Sequence, residues 1–200
     1  MQKKGFQHDL ERVNDELPLL GTDIDACNEE TLDIEIFPDR PDLLSGETLA
    51  FAMGHFLHHA PAQPDMPTTD SGITVAVDPS LKHIRPVVHS AVVRGVQLPE
   101  DEEELDRFIK GVMDHQEKLH FAIGRGRRRV SIGVHDLAKL QPPFRVVSVP
   151  GSTSFVPLAC EAPMSIHEIL TQLPKGLEYA HLLEGMDAYP LILDSNDDVL

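Results

Sequence analysis

The twelve residues Ile34–Ser45, IEIFPDRPDLLS, combine the end of a strand, a rigid turn and the start of a helix. Pro38 and Pro41 each fix φ, and Pro41 also pushes the residue before it away from helical geometry. Arg40 and Asp42 therefore lie on a stiffened turn. The guanidinium there can bond the turn's own carboxylates and carbonyls, or it can contact RNA or a partner subunit. Physical grounds favour the structural role.

Composition places the chain among globular proteins. Its 200 residues are 41% hydrophobic, which suits one domain of ordinary size or two small ones. No apolar run approaches the roughly 20 residues that a membrane helix needs. Met1 is not followed by the basic and apolar regions of a secretory signal. Cys27 and Cys160 make neither a disulfide framework nor a zinc site, so we expect a reducing, cytoplasmic setting.

The charge of the chain is strongly negative and unevenly distributed. The formal net charge is −16. Residues 1–80 carry 4 Lys and Arg against 16 Asp and Glu, residues 81–150 carry 12 against 9, and residues 151–200 carry 1 against 8. A general nucleic-acid binder needs a surplus of positive charge, so any RNA contact must be local and come from the middle segment. The acid-rich composition also suggests adaptation to high salt.

Apolar spacing predicts a small α/β module over residues 1–60. A helix is expected over residues 8–20, ended by Pro18, and the strict alternation of Leu32–Ile36 predicts a strand. Ser45 is a suitable N-cap for the helix that follows. The proline-rich and polar residues 61–72 predict a linker, and residues 73–200 are expected to form a second module.

The second module is predicted to contain strands, one long helix and a short capped helix. The long helix spans Asp101–Ile123, with acidic residues at its start and arginines after its end, as the helix dipole favours. Ser165 and Glu168 form a capping box. This irregular order indicates an α+β fold with helices packed on mixed or antiparallel sheets. The predicted strands are residues 73–77, His89–Val96, Val130–Val134, Val146–Val149 and a buried strand at Leu191–Leu193.

The run Gly124–Arg129, GRGRRR, has the wrong context for a nucleotide-binding loop. Such a loop lies between a strand and the helix that it opens, whereas this run follows a helix and precedes a predicted strand. Four arginines, Arg125, Arg127, Arg128 and Arg129, remain available to contact an RNA backbone. A solvated helix C-terminus explains them equally well, and both interpretations stay open.

The histidines do not form a convincing active site. His55 and His59 lie one helical turn apart, as in helical zinc pairs, but no Glu follows in the HExxH manner, so a solvated helix end is favoured. His135 and Asp136 could orient a base, although a turn is favoured. Cys160 has no electropositive neighbourhood in sequence. We predict no complete catalytic constellation in this chain.

Several segments, taken in order, resemble the N-terminal part of the beta subunit of archaeal and eukaryotic-type phenylalanyl-tRNA synthetase. The resemblance extends from about Leu10 to Leu200. The segments are IEIFPDRPDLLSGETLAFAMGHFL, HIRPVVHSAVVRGV, DHQEKLHFAIGRGRRRVSIGVHDLAKLQPPF, SFVPL, MSIHEIL, PKGLEYAHLL and YPLILDSNDDVL.

The resemblance implies a role in translation. A beta subunit of this family pairs with a catalytic alpha subunit, usually as a heterotetramer that joins phenylalanine to tRNA(Phe) with ATP and Mg²⁺. The family's beta subunit also carries an editing module that hydrolyses mischarged tyrosyl-tRNA. By resemblance, residues 1–60 are the N-terminal module and residues 73–200 are the first part of the editing module. Neither a membrane nor DNA is an expected partner.

The resemblance also implies where editing specificity arises. Tyrosine differs from phenylalanine by one hydroxyl, which a polar pocket can select by hydrogen bonding. The family's pocket is lined at positions that match Tyr189, Leu191, Ile192 and Leu193, and its polar residues match positions beyond Leu200. The chain is thus expected to be a fragment with no catalytic residue, metal site or cofactor of its own, inactive by itself. The alternatives are a non-catalytic tRNA- or protein-binding module and a stand-alone trans-editing hydrolase.

Overall fold

The computed structural model describes residues 9–57 and 66–200. The chain divides into two compact units, one with the residues up to Pro67 and Gln97–Ile132, the other with Thr68–Val96 and Gly133–Leu200. No helix in the described ranges is long and apolar enough to cross a membrane. The modules predicted at 1–60 and 73–200 stay a prediction, and parts of the first module and of the linker, residues 1–8 and 58–65, lie outside the described residues.

The first unit begins with a small α/β core. Its apolar residues come from both helices and from the turns beside the hairpin, and those that are buried together are Val13, Leu17, Leu20, Leu43, Leu49, Met53 and Leu57. The elements are helix α1 (Leu10–Glu16), strand β1 (Thr22–Cys27), strand β2 (Leu32–Ile36) and helix α2 (Gly46–Leu57), with β1 and β2 paired antiparallel.

Helix α3 (Glu102–Phe121) is the longest element of the first unit. Asp101 caps it by accepting a hydrogen bond from the Glu104 N–H at 2.9 Å. The stripe of apolar residues on α3 is largely exposed within the described structure, since Phe108, Ile109 and Met113 have 39–60% of their surface accessible. His120 is the buried residue of this helix, at 2% exposure.

The second unit is built on a three-stranded mixed sheet. Its strands are β3 (Val75–Val77), β4 (Phe144–Val149) and β7 (Tyr189–Leu193), with β3 parallel and β7 antiparallel to β4. A two-stranded antiparallel sheet and two short helices lie between β4 and β7 in the chain, and together with the first unit they confirm the predicted α+β fold. These elements are β5 (Ser154–Phe155), β6 (Met164–Ser165), α4 (Ile166–Gln172) and α5 (Pro174–Tyr179).

Two predicted strands are wrong. Neither His89–Val96 nor Val130–Val134 forms a strand. In the first segment Gly95 has φ of 69°, outside the β region. In the second, side chains of α3 take both backbone groups of Ile132, so those groups are not available to a neighbouring strand. Alternation of apolar residues predicts a strand only where a partner strand supplies the ladder.

The strand predicted as buried at Leu191–Leu193 is present as the central part of β7, but it is not buried throughout. It lies at the edge of the three-stranded sheet. Ile192 has 37% of its surface exposed, because one face of this edge strand remains open within the described structure. The prediction of a fully buried strand from the uninterrupted apolar run Leu191–Leu193 is therefore wrong for Ile192.

Candidate nucleic-acid interface

The arginine turn, Gly124–Arg129, is a tightly hydrogen-bonded reversal at the end of α3. Three successive residues, Arg125, Gly126 and Arg127, have positive φ values of 49°, 63° and 65°. The His120 carbonyl accepts hydrogen bonds from the Gly126 N–H at 2.9 Å and from the Arg127 N–H at 3.3 Å. Helices commonly end in this way, because left-handed residues let the chain satisfy the last carbonyls.

Gly124 allows the turn to close against the helix. A Cβ at this position would lie 2.4 Å from the His120 carbonyl oxygen and 2.8 Å from the Val130 carbonyl oxygen. Both neighbours are backbone atoms, which cannot move aside as a flexible side chain can. Residue 124 therefore has to be glycine for the two ends of the turn to approach each other.

The side chains of the arginine turn divide into one anchored and three outward-facing guanidinium groups. Arg127 is bonded to the Glu117 carboxylate of α3 and is partly buried. Arg125, Arg128 and Arg129 are exposed, and no ion pair to them is formed among the described residues. Three exposed guanidinium groups on a rigid turn can bind phosphate oxygens without first being displaced from carboxylates.

The turn at residues 38–42, which contains Pro38 and Pro41, has a different role, which is structural. The Arg40 guanidinium donates to both Asp42 carboxylate oxygens, at 3.0 and 2.7 Å, and also to the Leu20 carbonyl. The hydrogen bond with Asp42 raises the pKa of Arg40, and the same bond lowers the pKa of Asp42. Gly21, with φ of 91°, leaves room for the arginine, whose Cγ would lie 2.8 Å from a Cβ there. The structural interpretation of Arg40 is therefore confirmed.

Strand β7 does not bring the four residues predicted to line an editing pocket onto one surface. Side chains alternate along a strand, so Tyr189, Leu191 and Leu193 share one face while Ile192 is on the other. Tyr189 is 8% exposed, and its ring contacts the His167 ring edge-on at 6.1 Å. A role of these residues in editing stays a prediction, and only one face of β7 at a time can line a pocket.

A depression of about 420 Å³ lies beside Tyr189 in the second unit. His167, His181 and Glu184 are among its lining residues. The His181 Nδ1 is 3.0 Å from the Glu178 carbonyl, which can only accept, so Nδ1 is the donor in this hydrogen bond. Sequence reasoning missed this depression because its lining residues follow no recognisable spacing.

The other predicted chemical sites are not assembled. Asp136 accepts a hydrogen bond from the Ala138 N–H at 3.1 Å, which confirms the turn interpretation of His135 and Asp136. The His55 ring packs edge-on against Phe51 at 4.4 Å, and His59 lies outside the described residues. Within residues 9–57 and 66–200, no group of three or more His, Cys, Asp or Glu side chains is placed to hold a metal ion.

Relatives of this chain are found among curated proteins and solved structures, although no protein-family model matches it. It is 42% identical over 192 residues to the "Phenylalanine--tRNA ligase beta subunit" of Methanococcoides burtonii, and 44% identical to that of Methanosarcina acetivorans. Each match covers 96% of this chain and 34% of the relative. The chain therefore spans about a third of the length of these relatives.

A solved structure is similar over nearly all of the chain. It is an N-terminal fragment of the phenylalanyl-tRNA synthetase beta subunit from Pyrococcus horikoshii, with a TM-score of 0.84 and 32% sequence identity. The match covers 98% of this chain and 56% of that fragment. Sequence and fold thus agree on the same set of relatives.

Proposed function

We propose that the chain serves as the N-terminal part of a phenylalanine–tRNA ligase beta subunit, the family to which it belongs over the residues that it spans. The observation that carries this proposal is identity of 42–44% over 96% of the chain, together with a structural match of TM-score 0.84. Similarity that extends over nearly the whole chain is hard to explain by the reuse of one small module.

We propose that the chain acts with an alpha subunit in charging tRNA(Phe) with phenylalanine in the cytoplasm. ATP and Mg²⁺ are assigned to the alpha subunit. Among residues 9–57 and 66–200, no three or more His, Cys, Asp or Glu side chains come together as potential metal ligands. The chain's own contribution is to bind and position macromolecules.

The arginine turn is the proposed tRNA contact of this chain. Support comes from the three exposed guanidinium groups that no carboxylate of the described residues pairs with, and from the rigid backbone that holds them. A local basic surface suits a chain of net charge −16, because the acidic residues of the two terminal segments, 1–80 and 151–200, repel nucleic acid. The contact is therefore expected to position the RNA backbone without reading its sequence.

The proposed part of this chain in editing is to supply one wall of the pocket that recognises a mischarged tyrosyl group. The open face of β7, which carries Ile192, is the apolar surface suited to the aromatic ring. No catalytic residue is assigned to the chain, so we expect no hydrolysis of tyrosyl-tRNA by the chain alone. Measurable, specific deacylation would contradict this expectation and favour a stand-alone editing hydrolase.

Copurification with an alpha subunit tests the proposed function. The tagged chain is coexpressed with the phenylalanine–tRNA ligase alpha subunit of the same organism, and with a synthetase subunit of different amino-acid specificity as a control. Stable capture of the alpha subunit alone supports the proposal. Equal capture of both subunits, or of neither, contradicts it and favours a binding module that reuses the fold.

A further inference from the structure

We infer that His120 is a positioning residue that holds the arginine turn closed through a neutral imidazole, and that protonation of this imidazole releases the turn. Two atoms of the same residue fasten the two ends of the turn. The His120 carbonyl accepts from the Gly126 and Arg127 N–H groups at the start. The His120 Nε2 accepts from the Ile132 N–H at 2.7 Å, just beyond the end.

Gln116 completes the attachment of the segment after the turn. Its Nε2 donates to the Ile132 carbonyl at 2.9 Å. Gln116 and His120 are four residues apart and so lie on one face of α3. Their side chains together bind the N–H and the C=O of the same residue, as a neighbouring strand would. The chain that leaves the arginine turn is thus fastened to the helix that enters it.

The hydrogen bond from Ile132 specifies the protonation state of the ring. A backbone N–H can donate only to a nitrogen that carries a lone pair, so the Nε2 of His120 is unprotonated and the proton of the neutral ring is on Nδ1. His120 is 2% exposed, and its Nδ1 has no hydrogen-bond partner among the described residues. The Glu117 Oε1 lies 3.5 Å from this Nδ1.

The charged groups around the imidazole connect it to the arginine turn. From α3, Glu117 faces Nδ1, and from the turn, Arg127 is paired with that same carboxylate. The segment on the other side of the ring, Val130–Val134, contains no titratable side chain. Adding a proton to Nε2 would leave two donors facing each other, and it would add a cation beside a carboxylate that Arg127 already neutralises. The first effect breaks the hydrogen bond that closes the turn, and in the second the imidazolium competes with Arg127 for the Glu117 carboxylate.

The state of the Ile132 amide gives a direct test in the full chain. Hydrogen exchange and the ¹⁵N shift of this amide are followed from pH 8 to pH 5.5 in the native protein and in His120→Gln. The glutamine oxygen can accept at the position of Nε2 but does not titrate. We expect protection of Ile132 to fall by about tenfold in the native chain wherever Nε2 carries a proton, the effect of losing one hydrogen bond. Protection in His120→Gln should stay constant.

His89→Gln is the matched control, because His89 is exposed and belongs to the other unit. It should keep the pH dependence of the native chain. The inference is overturned if native Ile132 protection does not change over this pH range, or if His120→Gln shows the same change as the native chain. His120→Ala should lack protection at every pH, and high protection in that variant would also overturn the inference.

The consequence for RNA rests on the proposed tRNA contact and is measured separately. Binding of transcribed tRNA(Phe) is compared between the native chain and His120→Gln at each pH. Opening of the turn should lower native affinity relative to the variant on the acidic side, and identical pH profiles would overturn the positioning role. If tRNA binds neither protein while Ile132 protection depends on pH as expected, the role of His120 in closing the turn is confirmed. The proposed RNA contact is then the part that is contradicted.

Discussion

At the scale of single residues, Arg40 shows how far sequence reasoning reaches. The prolines around it predict a rigid turn, and a guanidinium beside Asp42 predicts a local ion pair, which the structure contains. The other partner of Arg40, the Leu20 carbonyl, lies twenty residues away in sequence. A contact of that kind depends on how the hairpin packs, so no local pattern could predict it.

Replacement of Arg40 should destabilise the first unit. Arg40→Ala removes the pair with Asp42 and leaves the Leu20 carbonyl without this donor, so we expect a loss of about 1–2 kcal/mol, with the exposed ion pair contributing the smaller part. The free energy of unfolding in urea measures the effect. Arg85→Ala, at an exposed position, should change stability by less than about 0.5 kcal/mol. Equal effects of the two substitutions would contradict the structural role of Arg40.

The Asp42 carboxylate should make this contact pH-dependent. Its hydrogen bond with Arg40 lowers the pKa of Asp42 below the ordinary 3.8. The Arg40–Asp42 pair therefore stabilises the fold fully at pH values above the pKa that Asp42 has in the unfolded chain. This stabilisation is lost as the pH falls through the lower pKa of Asp42 in the folded chain. The difference in unfolding free energy between the native chain and Asp42→Asn should be constant from pH 7 to pH 5 and should shrink below about pH 3.8. A difference that does not vary with pH would exclude this ion pair as its cause.

At the scale of elements, local signals predicted helices better than strands. Helix α3 and the capping box of α4 are confirmed, because caps and i, i+4 spacing are local properties of the chain. Strand β1 was not predicted, and its pairing includes a bulge between Ile24 and Ala26 that interrupts the alternation. The segment Val130–Val134 failed for the opposite reason, since its pattern was right but α3 side chains replaced the partner strand.

The capping box should contribute measurably to α4. The Ser165 hydroxyl accepts from the Glu168 N–H at 3.2 Å, and the Glu168 carboxylate accepts from the Ser165 N–H at 2.8 Å. The Ser165 hydroxyl also donates to the Glu168 carboxylate at 2.7 Å, so Ser165→Ala removes both hydroxyl bonds and should destabilise the second unit by about 1 kcal/mol in urea unfolding. Ser195→Ala, an exposed serine outside any helix, should be nearly neutral. If the two alanine variants unfold alike, the box has no energetic role.

The arginine turn should determine the salt dependence of tRNA binding. Replacing the three exposed arginines, Arg125, Arg128 and Arg129, with alanine keeps the Arg127–Glu117 bond and should reduce the slope of log affinity against log salt by about 2–3, one contact for each charge. Adding Arg127→Ala should change the slope little further, since that side chain is already paired.

A charge-matched control separates this contact from a general effect of net charge. Alanine at Lys82, Arg85 and Lys139 removes the same charge elsewhere and should leave the slope nearly unchanged. An unchanged affinity and slope in the triple arginine variant would remove the RNA role from the turn.

At the scale of the whole molecule, the net charge of −16 places like charges next to each other in the fold. The outer face of the β1–β2 hairpin carries exposed carboxylates from both strands. Asp23 lies directly opposite Glu35 across the ladder. Like charges that face each other across a sheet are destabilising. Such a pairing indicates a chain whose stability depends on the ions that surround it.

Molar salt should therefore raise the unfolding midpoint. The Debye length falls from about 10 Å at 0.1 M to about 3 Å at 1 M, so repulsion between surface carboxylates is progressively screened. Asp23→Asn removes the opposed pair with Glu35 and should be more stable than the native chain at low salt, by about 0.5 kcal/mol. That advantage should disappear in molar KCl. Thermal unfolding at 0.1, 1 and 3 M KCl measures both effects, and a native midpoint that does not rise with salt would refute the proposed adaptation to high salt.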